Sequence, residues 1–166
     1  MRVDPDEMFG PNGPHWRRWR SATTHDGFKV LLLTRCREAA RRRRIPGLNH
    51  LLRMATRVLY GIDIGNEVEF GPGVHFSHSM GTVIGGPSTI GARVQFMGNN
   101  TVGTAKANGC PIIEADVVLG CGSRILGPVR VGRGAVIGAN AVVLHDVPSG
   151  ATAVGVPALS RPVPID

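Results

Sequence analysis

From Ile64 onward, aliphatic or aromatic residues return every six positions. They fall at Ile64, Phe70 and Phe76, then Ile84, Ile90, Phe96 and Val102, then Ile113, Leu119, Ile125, Val131, Ile137 and Val143. Four positions after most of these anchors stands a small or β-branched residue: Val68, Val74, Ser88, Val94, Val117, Ser123, Val129, Ala135, Ala141 and Val147. A helix needs a period near 3.6 and a simple strand a period of 2, so six requires a strand and a turn repeated as one unit. Three such units close a triangular coil of 18 residues, and stacked coils bury anchors that a single coil would leave in water. The pattern predicts a mainly β chain built as a parallel β-helix. Its two phase breaks locate insertions, a two-residue excess around Met80 to Val83 and a longer loop, "GTAKANGCPI", over 103–112.

The segment ahead of the repeats, residues 1–61, reads differently. Residues 1–25 carry three prolines and "WRRWR" without a sustained period, and Trp16 and Trp19 are suited to packing on a neighbouring subunit. A helix is predicted from Asp26, which can cap it, to the break at Ile45-Pro46-Gly47, and a second from about Leu48 to Leu59. Residues 62–166 form the predicted β-helix domain.

Charge divides along the same line. Residues 1–60 hold 13 Lys and Arg against 5 Asp and Glu, whereas the remainder is close to neutral. The peak, Arg41 to Arg44, suits a solvated helix end, where cations complement the helix dipole, or a patch facing an anionic membrane; nucleic acid is disfavoured. Three cysteines without a CxxC, and no leader segment, point to the cytoplasm. No apolar run is long enough to span a bilayer, so any membrane contact is peripheral.

The stretch "VHFSHSMGTVIGG", Val74 to Gly86, places His75 and His78 three residues apart. His78 fits a general base, a metal ligand or a structural turn residue. A zinc shared with His145 within one subunit is excluded by stacking, since the two lie about four coils apart, roughly 4 × 4.8 Å along the axis. No metal is expected. His75 fits surface decoration.

The motifs "DIGNEVEFGPGVHFSH", "HSMGTVIGG", the loop ending "CPII", "GCGSRILGPVRVGRGAVIGANAVVL" and "AVGVPA" resemble the hexapeptide-repeat acyltransferases, serine acetyltransferase branch, over about residues 60–160. The resemblance implies a left-handed coil, a homotrimer with active sites between subunits, and acetyl-CoA as co-substrate. It implies His78 as the base that deprotonates the acceptor hydroxyl and Asp63, 15 residues earlier, as the group that orients it. Cys121 and Ala139, 18 residues apart, match small residues whose backbone holds the pantetheine arm, and Gly103 and Thr104 match the start of the loop at its thiol end. Arg161 is expected to contact CoA, because Leu159 stands where the family often has a basic residue.

The chain departs from the branch where serine acetyltransferases place Arg-His before the loop proline, for it has Gly109-Cys110. Gly109-Cys110-Pro111 resembles exopolysaccharide O-acetyltransferases, and neither residue can replace a guanidinium that clamps a carboxylate. The expected acceptor is therefore a hydroxyl of a sugar, glycan precursor or other small metabolite, held by Cys110, Asn108 and Asn100, with serine second and a non-catalytic scaffold a distant third.

Overall fold

The computed structural model describes residues 26–104 and 109–161. Among the described residues two helices come first, α1 (Asp26–Arg42) and α2 (Leu48–Tyr60). They are separated by Gly47 and closed by Gly61, both with positive φ. Among the described residues fifteen short strands follow and fall into three sheets, one for each face of a left-handed parallel β-helix. The first face stacks β1 (Asp63–Ile64), β4 (Val83–Ile84), β7 (Thr101–Gly103), β10 (Arg124–Leu126) and β13 (Val142–Val143). The second stacks β2 (Glu69–Phe70), β5 (Thr89–Ile90), β8 (Ile112–Ile113) and β11 (Arg130–Val131). The third stacks β3 (His75–Phe76), β6 (Gln95–Phe96), β9 (Val118–Leu119), β12 (Val136–Ile137), β14 (Thr152–Val154) and β15 (Leu159–Arg161).

All thirteen six-residue anchors are buried, and so are the ten small or β-branched residues four positions beyond them. Phe76 and Phe96 stack inside adjacent coils with ring centroids 4.7 Å apart. The strand register gives the coil lengths directly. Asp63 pairs with Val83, a step of twenty that contains the two-residue excess. Thr101 pairs with Arg124, a step of twenty-three that contains the loop, and Arg124 pairs with Val142 at the regular eighteen. The last coil is short, because Val136 pairs with Thr152 after only sixteen. β15 then runs antiparallel to β14, closing the upper end of the third sheet.

The lower end is closed by arginine. An edge strand exposes carbonyls that need donors, and α1 lies across the first coil with Val30, Leu31, Thr34, Arg37 and Ala40 buried on one side. Arg37 Nη2 donates to the Ile64 carbonyl at 3.0 Å and Arg35 Nη2 to the Phe70 carbonyl at 3.3 Å. Arg41 donates to the Asn66 carbonyl. Three arginines of this segment thus cap the solenoid edge. Gly27 permits the close approach, since a Cβ there would lie 2.5 Å from the Phe76 carbonyl oxygen. No helix among the described residues is long and apolar enough to cross a membrane.

Candidate functional site

The corner between the third and first faces carries His78. It is built by stacking: Gly81 N–H donates to the Gly61 carbonyl at 2.8 Å, Ser79 Oγ to the Tyr60 carbonyl at 2.9 Å, and Asp63 N–H to the Thr82 carbonyl at 3.0 Å. His78 is exposed and makes no hydrogen bond among the described residues. The next coil makes room for it with Gly98, where a Cβ would come within 2.9 Å of the His78 Cβ. Gly98 also has φ 125°, which other residues rarely adopt.

Asp63 stands at the start of β1, but its hydrogen-bond partners are not His78. Arg53 donates from Nε to Oδ1 at 2.9 Å and from Nη2 to Oδ2 at 3.2 Å, and Arg57 Nη2 donates to Oδ2 at 2.6 Å. Partial burial pushes the carboxyl pKa up, yet the bonds from Arg57 and Arg53 outweigh it and hold the group at about 2. The two arginines sit one turn apart on α2, on the side that meets β1. Sequence reasoning missed both. The usable signal was an i,i+4 arginine pair on a helix ending three residues before an aspartate.

Asn100 does not serve the acceptor. It is fully buried, its amide nitrogen donating to the Gly120 carbonyl at 2.8 Å and to Ser123 Oγ at 2.9 Å while its oxygen accepts from Gly98 N–H at 3.0 Å. A polar side chain inside a solenoid persists only when saturated with partners, and Asn100 is saturated by the interior. What it positions is Gly98, and thus the space beside His78.

Cys121 and Ala139 are exposed at this same corner on neighbouring coils, with Asn140 N–H donating to the Cys121 carbonyl at 2.8 Å. Gly103 is buried in β7, its carbonyl accepting from Gly127 N–H at 2.8 Å, and Thr104 beside it is exposed. Asn108 lies outside the described residues. Cys110 sits at the corner between the first and second faces, its Sγ packed on the backbone of Gly86, where no Cβ could fit. Arg161 is exposed at the end of β15.

An open cleft of about 780 Å³ runs between α1 and the second face, lined by Arg35, Glu38, Arg42, Glu69 and Phe70 among others. It holds none of the candidate residues. No group of three or more His, Cys, Asp or Glu among the described residues could hold a metal ion.

Comparison with known proteins bears on the acceptor. The family pattern described as bacterial transferase hexapeptide (six repeats) matches residues 110–145. A serine acetyltransferase of Helicobacter pylori is 38% identical over 141 residues, covering 83% of this chain and 82% of that protein. One from Synechococcus elongatus is 35% identical over 136 residues, covering 80% of this chain but only 56% of that protein. A serine acetyltransferase solved in complex with CoA superposes with a TM-score of 0.75 at 34% identity, covering 81% of this chain and 56% of that one. These relationships overturn the expectation of a sugar or glycan acceptor, and they lend no support to the likeness to exopolysaccharide enzymes drawn from Gly109-Cys110-Pro111. A three-residue motif on one loop is outweighed by identity spread over most of the chain. The chain therefore belongs to the serine acetyltransferase family of hexapeptide-repeat acyltransferases, enzymes whose co-substrate is acetyl-CoA.

Proposed function

We propose that this protein transfers the acetyl group of acetyl-CoA to the hydroxyl of L-serine. The observation that carries the reading is the 38% identity to a serine acetyltransferase over 82% of that protein's length. His78 is the general base: it takes the hydroxyl proton as the serine oxygen bonds to the thioester carbonyl carbon, and returns it to the departing thiolate, yielding O-acetylserine and free CoA. Asp63 orients His78. A carboxylate has roughly four acceptor sites, and the two arginines fill three, which leaves one for an imidazole N–H once the acceptor draws the corner together.

Serine also brings a carboxylate, which needs a cation. The described part of the loop supplies none, with Gly109 and Cys110 where the family has Arg-His. We assign that role to Arg57, whose side chain is 41% exposed beside Asp63. The pantetheine arm lies along Cys121 and Ala139 with its thiol end at Gly103 and Thr104 and its phosphates toward Arg161. A homotrimer encloses the His78 corner, which is exposed on the single chain. The test is thiol release from acetyl-CoA with L-serine, read together with mass spectrometry for O-acetylserine. Failure to form that product at saturating serine, by a trimer that binds acetyl-CoA, overturns the reading.

A further inference from the structure

Helix α2 is turned inside out relative to an ordinary surface helix. Its polar side chains face the solenoid: Asn49 Nδ2 donates to Asn66 Oδ1 at 3.4 Å, Arg53 and Arg57 hold Asp63, and Thr56 is fully buried with its hydroxyl donating to the Arg53 carbonyl at 2.8 Å. Its large apolar side chains face water. Leu51, Met54, Val58 and Leu59, at i, i+3, i+7 and i+8, are 64, 41, 75 and 68% exposed. That spacing is the stripe by which a helix ordinarily buries itself against a core, yet the buried residue of α2 is a threonine. A continuous apolar face left in water marks a surface that meets a partner.

The charge around this face identifies the partner's chemistry. In the loop that leads into α2, Arg43 and Arg44 are exposed, and their side chains make no hydrogen bond or ion pair among the described residues. Ile45 beside them is also exposed. Residues 43–60 carry four arginines, one histidine and no acid. A second copy seated on the same face would set these cations against one another with no carboxylate between them, a repulsion that a dry contact magnifies. Nucleic acid offers phosphates without an apolar layer. An anionic phospholipid surface meets both demands, because its headgroups take the arginines while the acyl boundary takes the leucines and valine.

We propose that the outer face of α2, with the loop that precedes it, docks this protein peripherally on an anionic phospholipid membrane. At 13 residues α2 is about 20 Å long, too short to cross a bilayer, so it lies in the plane of the interface. Arg43 and Arg44 engage the headgroups, and Leu51, Met54, Val58 and Leu59 enter the acyl boundary. Arg53 and Arg57 stay on Asp63. The docking face uses none of the residues assigned to the acceptor or to CoA, and it stands whichever acceptor the enzyme uses.

Co-sedimentation with vesicles tests it, using phosphatidylcholine alone or phosphatidylcholine mixed with phosphatidylglycerol. The wild-type protein should pellet with the mixed vesicles and not with the neutral ones, and raised salt should weaken the binding. Arg43→Gln combined with Arg44→Gln should lower the partition coefficient by at least about tenfold, the scale of two cations at a charged surface. Leu51→Glu combined with Val58→Glu should abolish binding. All four positions are exposed, so the Tm of both variants should match wild type. Failure to bind the mixed vesicles overturns the proposal, as does equal binding to neutral ones or binding that neither variant changes. If Leu51→Glu with Val58→Glu instead splits the protein into smaller species in analytical ultracentrifugation, a second copy covers this face and the membrane reading falls.

Discussion

Gly98 and His78 face each other across one coil step, so close that a methyl group on the first would press within 2.9 Å of the Cβ of the second. Gly98→Ala is therefore strained twice, by contact and by a backbone at φ 125°. The expected result is a fall in kcat of at least about tenfold, as for other small displacements of a catalytic group, with acetyl-CoA affinity unchanged. Steady-state kinetics and CoA titration check it, and a variant with normal kcat removes Gly98 from the site.

His78→Ala should lower kcat by about 10²–10⁴-fold, the usual worth of a positioned base, again with acetyl-CoA binding retained. The histidine is exposed and makes no hydrogen bond among the described residues, so thermal stability should hardly change. Near-normal turnover would end the assignment of His78 as base.

Arg57→Met separates charge recognition from catalysis. It should raise KM for L-serine by about tenfold or more, the scale of one lost charge-assisted contact, while leaving serinamide, which lacks the carboxylate, nearly unaffected. Equal effects on both acceptors would show that Arg57 acts only by holding Asp63.

The Asp63 carboxyl is held at about 2 in the fold against an ordinary 3.8. A depressed folded pKa means the unfolded chain binds the proton first as acid is added, so the stabilisation is present above about pH 4 and is lost as pH falls toward 2. Allowing for partial exposure, it is worth about 1 kcal/mol. Asp63→Asn should be less stable than wild type at pH 7, with the gap closing between pH 4 and 2 in denaturant titrations.

Asn100→Leu should destabilise the solenoid by about 1–3 kcal/mol, because the Gly120 carbonyl and Ser123 hydroxyl would lose a buried partner. Substrate binding should be kept in whatever fraction remains folded. A stable variant with a raised KM would return Asn100 to the acceptor site.

The six-residue spacing of Ile64, Phe70, Phe76 and their successors determined the coil by itself. Burial demands that every sixth side chain point inward, and no other regular structure satisfies that period. The insertions were legible as breaks in phase, and the 15-residue separation of Asp63 and His78 singled out the corner through its resemblance to a family. Tertiary structure decided the rest, because it depends on residues distant in sequence meeting. Arg53 and Arg57 look like any helix-surface cations until α2 is laid against β1 and they close on Asp63. Asn100 reads as a residue that holds the acceptor until stacking turns it toward Gly120 and Ser123. Arg41 reads as part of a solvated or membrane-facing charge run until α1 crosses the first coil, whose unpaired carbonyls require donors that Arg35, Arg37 and Arg41 supply.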